Sequence, residues 1–272
     1  MFMLLGLKAS SDWGQIKDRL QYHPDVFEFF TDVPDFTSQG IQHLRQAIEY
    51  VQDQGVTNIV LHQPMNFKGY HSELIVPEQQ FPELHEFVMT TAHQLIDLAI
   101  ATDSQCLIHG SYDGEHGFKA MLSAYGSLQN AQAACYHRLD QLKKLGSDHV
   151  MFENSISPVF AYGDPQVENE IIRHQFRLVA DVSHIFISLH GDNERLVASL
   201  RHLKNNIYHY HLVDSLGQTH DSLPIGTGKI DWPSVIPLLN PSATTIYEIN
   251  LKNQLDCQEQ LASHQYLSTL GY

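Results

Sequence analysis

Eight short apolar runs recur along the chain, and the stretches between them carry apolar residues three and four positions apart. The runs fall at residues 2–8, 26–30, 58–62, 106–109, 149–153, 178–182, 207–213 and 244–249. Near-continuous apolar character in such short runs suits parallel strands covered on both faces. Ile41, Leu44, Ile48 and Val51 form a helical stripe before Gly55, and Leu84, Phe87, Val88, Leu95, Leu98 and Ala99 form another. Leu139, Leu142 and Leu145 lead into Gly146, Leu196, Leu200 and Leu203 follow, and residues 254–270 make the last helix. Gly55 is expected to cap its helix. Asp164-Pro165 and Asp231-Trp232-Pro233 are expected to start helices, with an acidic cap and proline in the first turn.

A strand followed by a helix, repeated eight times, predicts an α/β protein of one domain over residues 1–272: a (β/α)8 TIM barrel. No glycine-rich phosphate loop follows the first run, which removes the main reason to prefer an open dinucleotide-binding sheet. The segment Met1 to Leu7 has no basic leader and is too short to span a bilayer, so it is expected to be a buried first strand.

Six of the runs carry a carboxylate or a histidine at or near the C-terminal end: His62, His109, Glu153, Asp181, His211 and Glu248, at intervals of 47, 44, 28, 30 and 37 residues. In this fold the C-terminal strand ends converge on the active site. Strand alternation puts Met151 with Glu153, Val179 with Asp181 and Ile246 with Glu248, so each acid is expected to point inward above an apolar layer. A buried carboxylate must be paired or neutralised. Few lysines or arginines lie near these positions in sequence, which leaves a cation as the simplest partner for Glu153, Asp181, His211 and Glu248. Imidazole and carboxylate ligands together suit a divalent metal such as Mn, Zn or Co.

Composition narrows the partner. Lys and Arg number 16 against 31 Asp and Glu, a formal charge of −15, which disfavours nucleic acid. Histidines number 18, more than Lys and Arg together, and point toward metal or proton chemistry. Cys106, Cys135 and Cys257 are too few and scattered for a disulfide framework and are expected to be reduced thiols in a cytoplasmic protein. No membrane association is expected, and a homo-oligomer is compatible with the composition.

The motifs Glu153-Asn154-Ser155, Asp181-Val182-Ser183-His184, His209-Tyr210-His211-Leu212-Val213-Asp214, Ile225 to Trp232 and Tyr247-Glu248 resemble the xylose-isomerase-like TIM-barrel superfamily over nearly the whole chain. Its members include sugar phosphate isomerases, ketose 3-epimerases, inosose dehydratases and, more distantly, endonuclease IV. The resemblance implies one divalent metal on Glu153, Asp181, His211 and Glu248. It further implies that Glu153 and Glu248 act as acid and base on a carbohydrate-like ketone through an enediolate, with His184 contacting substrate.

His62 and His109 match positions that hold an additional zinc in endonuclease IV, so a second metal with Glu153 is an alternative to substrate contact. The trinuclear pattern needs an Asp-x-His pair in the loop after the seventh strand. Here the loop reads Gln218-Thr219-His220-Asp221, without that Asp, although His220 remains a candidate ligand or substrate contact. A metal-dependent hydrolase or phosphodiesterase, an inosose-type dehydratase, and a barrel that binds a metabolite without turnover are therefore the competing readings.

Among weaker signals, Glu28 is a substrate or buried supporting carboxylate, or a salt-bridge partner of Lys8 on the neighbouring strand. Asn154 is a candidate to orient Glu153 or touch substrate. His209 is expected to be a hydrogen-bonded core histidine. Phe67, Tyr70, Phe160 and Tyr162 are candidates to line the pocket, and residues 112–117 form a polar loop beside it.

Overall fold

The computed structural model describes residues 3–112 and 118–271. Eight parallel strands run in sequence order around a nearly closed barrel: β1 (Gly6–Ala9), β2 (Val26–Phe30), β3 (Asn58–His62), β4 (Gln105–His109), β5 (Val150–Glu153), β6 (Leu178–Asp181), β7 (Ile207–Leu212) and β8 (Thr244–Tyr247). All eight runs expected from the apolar pattern are strands. The first begins later than expected, at Gly6 rather than residue 2. Gly6 explains where the barrel can come together. A Cβ there would lie 1.7 Å from the Thr245 carbonyl oxygen of β8, so only glycine lets β1 approach β8 this closely.

Helices cover the outside: α1 (Trp13–Leu20), α2 (Ser38–Asp53), α3 (Pro82–Ala101), α4 (Phe118–Tyr125), α5 (Leu128–Gly146), α6 (Pro165–Arg173), α7 (Val182–Ser188), α8 (Asn193–Leu203), α9 (Trp232–Val235) and α10 (Gln258–Thr269). Asp164 caps α6 by accepting from the Gln166 N–H at 2.8 Å. Gly55 adopts φ +92°, as a helix C-cap requires. Gly146 is the last residue of α5, with φ −87°, the positive-φ residue after it is Ser147, and Val150 packs against Gly146. One expectation needs correction. Asp231 precedes α9, but its carboxylate accepts the Ser234 hydroxyl at 2.6 Å instead of capping backbone amides. A two-stranded hairpin, Asn66–Phe67 with Tyr70–His71, follows β3 and was not legible in the sequence.

The outer core lies between strands and helices, whereas Val60, Leu107, Met151 and Val179 form a separate apolar cluster contributed by β3 to β6. Met151 and Val179 thus join one apolar cluster two residues below Glu153 and Asp181. The opposite half of the barrel is polar. Lys8 of β1 pairs in register with Glu28 of β2, and His209 and His211 come from β7. Among the described residues no helix is long and apolar enough to cross a membrane.

Candidate active site

A cavity of about 520 Å³ opens at the C-terminal ends of the strands. Lys8, His62, His109, Glu153, His184, His220 and Glu248 all contribute to its lining. Thr31, Asp32, Asn66, Ser222, Asn250 and Gln254 add hydrogen-bonding groups around it. Glu28 and Asn154 do not line it.

His211 is the centre of the charge arrangement. Its Nδ1 lies 3.1 Å from Glu153 Oε1 and 2.5 Å from Glu248 Oε2, while Nε2 lies 2.9 Å from Glu28 Oε2. Burial opposes charge on this ring, but the Glu153, Glu248 and Glu28 carboxylates outweigh it and raise the pKa well above the ordinary histidine value. Glu153 is fully buried, and both of its oxygens lack a hydrogen bond of good geometry. Burial pushes its pKa up to about 7, against the opposing pull of His211. Glu248, about one-fifth exposed, behaves oppositely: burial is outweighed by His211 and Lys8, which hold it well below the usual carboxylate range.

Lys8 pairs with Glu28 as expected, and its contact with Glu248 is the part that was not legible in the sequence. Its Nζ pairs with Glu248 and lies 3.1 Å from Glu28 Oε1. The acids are therefore not without a protein cation, contrary to expectation. Among the described residues, Glu153 and Asp181 still have no lysine or arginine partner.

Asp181 divides its carboxylate. Oδ1 caps α7, accepting from the His184 N–H and the Ser183 hydroxyl, each at 2.8 Å. Oδ2 is buried, has no hydrogen bond among the described residues, and lies 3.7 Å from His184 Nε2. Asn154 holds this strand end in place: its amide exchanges hydrogen bonds with the Asp181 backbone at 2.9 and 3.1 Å. His184 donates its Nδ1–H to the Asn154 carbonyl at 3.0 Å, which leaves Nε2 bare.

His62 donates Nδ1–H to the Gln63 carbonyl at 2.7 Å. Burial, then Lys8, push its pKa down to about 4, so the ring is neutral and Nε2 carries a lone pair. That nitrogen faces His109 Nε2 at 3.4 Å, Glu153 Oε2 at 3.7 Å and Glu248 Oε1 at 3.8 Å. His109 Nε2 lies 3.3 Å from Glu153 Oε2. His220 stands at the rim, its ring 4.8 Å from His184 and 6.1 Å from Tyr112.

Ligand atoms of His62, Glu153, His211 and Glu248 lie within 4.8 Å of one another, as do those of Glu153, Asp181 and His184. The two groups share Glu153, so the quartet expected from sequence is split between overlapping clusters rather than closed around one point. Glu153 Oε1, Glu153 Oε2, Asp181 Oδ2 and His211 Nδ1 are buried, make no hydrogen bond of good geometry among the described residues, and are the donors that a divalent cation takes, so the site fits such an ion.

The aromatic residues expected at the pocket lie elsewhere. Tyr162 is buried, its hydroxyl reaching the Phe152 and Val179 carbonyls, and Phe160 packs on Tyr136 and Phe176. Phe67 stacks on Phe87 of α3, and Tyr70 meets Phe81. Of the polar loop at 112–117, residues 113–117 lie outside the described residues.

The model of the xylose isomerase-like TIM barrel family matches residues 25–254. The chain belongs to that family. Among solved structures it is similar to a D-tagatose 3-epimerase-like protein, with 17% identity, 98% of this chain and 97% of that one covered, and a TM-score of 0.72. It is also similar to the 3-keto-D-glucoside 4-epimerase YcjR from E. coli, with 15% identity, 99% of both chains covered and a TM-score of 0.67. A third is a Thermus thermophilus protein, TTHB071, soaked with ZnCl2, with 18% identity, 99% and 98% covered and a TM-score of 0.65. At these identities the likeness is one of fold. No curated protein sequence matches the chain.

Proposed function

We propose that this barrel is a divalent-metal-dependent isomerase or epimerase acting on a sugar or sugar-like ketone. Glu153 and Glu248 serve as its acid–base pair, and Glu153, Asp181, His211 and Glu248 hold the ion. The observation that carries this reading is that Glu153 and Glu248, both in the lining of the cavity, each bring a carboxylate oxygen within 3.1 Å of His211 Nδ1. An ion of Mn, Zn or Co bound there supplies polarisation of the substrate carbonyl and stabilisation of negative charge growing on its oxygen.

The protein groups divide the remaining work. In the metal-free protein His211 and Lys8 hold Glu248 ionised, as a proton acceptor must be, whereas burial raises the Glu153 pKa. Environments that push two carboxylates apart in this way suit an acid and a base. Proton removal from the carbon beside the carbonyl by one, and return by the other, gives an enediolate and then the isomer. His184 and His220 at the rim, with Asn66, Asn250, Ser222 and Gln254, offer hydrogen bonds to substrate hydroxyls.

Family membership and epimerase neighbours support the class but leave the substrate open. The test is direct. Metal-loaded protein is incubated with a panel of ketoses in D2O, and deuterium at the carbon beside the carbonyl is followed by NMR. Incorporation is expected for at least one ketose. Protein with bound ion that exchanges none of them retires the proton-transfer reading.

A second reading, metal-activated water attacking an ester as in a phosphodiesterase, is favoured by one observation: His62 Nε2, His109 Nε2 and Glu153 Oε2 converge within 3.3–3.7 Å.

A further inference from the structure

Glu28 presents a puzzle. It is fully buried, does not line the cavity, and carries charge at a place where an ion without partners costs several kcal/mol. Substrate has no route to it, so its purpose must lie with the groups around it.

We infer that Glu28 is a positioning residue for His211: held by Lys8 and His209, it fixes the ring so that Nδ1 is the nitrogen presented to Glu153 and Glu248. The inference rests on the metal reading above and concerns how this chain prepares one ligand. Glu28 Oε2 lies 2.9 Å from His211 Nε2 and 3.0 Å from His209 Nε2. An ionised carboxylate only accepts, so each Nε2 must carry its hydrogen. A neutral His211 with hydrogen on Nε2 has its lone pair on Nδ1, and Nδ1 is the atom that faces Glu153 Oε1 and Glu248 Oε2. A ring turned over, or protonated on the other nitrogen, would present N–H where a ligand needs a lone pair.

The surroundings of Glu28 are arranged so that it cannot move away from this task. Lys8 Nζ lies 3.1 Å from Oε1, directly across the β1–β2 pairing that sets Lys8 opposite Glu28. His209 is itself fixed, because its Nδ1 lies 2.6 Å from Thr244 Oγ1 of β8 and receives that hydroxyl hydrogen. Four strands thus converge on one carboxylate: β1 through Lys8, β2 through Glu28 itself, β7 through both histidines and β8 through Thr244. Lys8 has a further effect of opposite sign. By also pairing with Glu248 it competes with a cation for that carboxylate.

That opposition separates positioning from a merely structural core pair. Zinc affinity is measured by competition with a chromophoric chelator for the wild-type chain, Glu28→Gln and Lys8→Met, together with the melting temperature of each metal-free form. Long-range ¹H–¹⁵N spectra of the zinc-loaded wild-type protein report which nitrogen of His211 is protonated. Glu28→Gln is expected to bind zinc roughly 10- to 100-fold more weakly, the usual cost of losing a carboxylate behind a ligating histidine. Lys8→Met is expected to bind zinc at least as tightly as wild type, even where its metal-free form melts lower. His211 is expected to carry its hydrogen on Nε2.

Equal zinc affinity in Glu28→Gln and wild type overturns the inference. So does a parallel loss of affinity and stability in both variants, which marks a scaffold pair, or a hydrogen found on Nδ1. If Glu28→Gln fails to fold, the wild-type ring spectrum decides alone. A wild-type chain that takes up no zinc, manganese or cobalt retires the metal reading and this inference with it. That outcome differs from a chain that binds metal indifferently to Glu28.

Discussion

His62 Nε2 faces His109 Nε2 at 3.4 Å, and the two imidazoles share Glu153 Oε2 as a neighbour. Two buried rings this close and largely neutral are costly to assemble without a use for the bare nitrogen. The metal count decides which use. For the isomerase reading, elemental analysis of the purified protein is expected to give one divalent ion per chain, unchanged in His109→Asn. Two ions in wild type, dropping to one in His109→Asn, would move the assignment to water activation.

Glu153 is placed where function and stability pull against each other. Its pKa is raised in the fold, so the stability it contributes is present below the unfolded carboxylate value and lost as pH rises through about 7. In chelator-treated protein, Glu153→Gln is therefore expected to melt higher than wild type, with a larger advantage at pH 8 than at pH 6. The same variant, and Asp181→Ala, are expected to abolish metal uptake. A Glu153→Gln protein with full metal occupancy removes Glu153 from the ligand set.

Glu248→Gln probes the acid–base role with less disturbance, since Glu248 is only partly buried and retains an amide oxygen for Lys8. Deuterium exchange into the substrate is expected to fall by about 10²- to 10⁴-fold, the usual contribution of a positioned acid or base. Metal content has to be measured alongside. Exchange at the wild-type rate with metal bound would falsify the two-glutamate mechanism.

Much of this arrangement could be read from the sequence, for identifiable reasons. The strands were legible because parallel strands buried on both faces appear as plain apolar runs, and each run such as Val150 to Glu153 closes on its polar residue at the mouth. The pairing of Lys8 with Glu28 was legible because adjacent parallel strands bring equivalent positions together. The Lys8–Glu248 pair was not, because it depends on β8 meeting β1 across 240 residues of chain. The division of Asp181 was equally hidden: a strand-end acid followed by a helix can serve as cap, ligand or both. Loop aromatics misled in the other direction. Phe160 and Tyr162 follow β5 in sequence, as lining residues would, yet they turn back into the core against Phe176 and the strand carbonyls.

Barrel closure itself makes a stability prediction. Any Cβ at residue 6 would overlap the Thr245 carbonyl carbon at 2.8 Å as well as its oxygen, and both are backbone atoms with no rotamer to adjust. Gly6→Ala is expected to cost more than the ~1–3 kcal/mol typical of overpacking, because β1 must shift relative to β8. Urea denaturation gives the difference, and Lys8, two residues along β1, would move with the strand. An unchanged midpoint would show that the β1–β8 approach is not fixed as described.

Asp214, just past β7, organises the loop that carries His220 to the rim. Its buried carboxylate accepts from the Ser215 and Ile230 amides through Oδ1, and from the Gly226 amide and Trp232 Nε1 through Oδ2, at 2.8–3.2 Å. Gly228 permits this closeness, since a Cβ there would lie 2.2 Å from Oδ1. Asp214→Ala leaves four donors unpaired and is expected to destabilise the protein by at least ~3 kcal/mol. Asp214→Asn is the sharper variant. It keeps an oxygen for only one pair of donors and turns an NH2 toward the other, so a smaller loss is expected, with Trp232 fluorescence reporting the indole's altered surroundings. If the loop exists to place His220, Asp214→Asn will also raise KM more than it lowers kcat. A fall in kcat alone would place the loop's influence on Glu248 and His211 instead of on substrate contact at the rim.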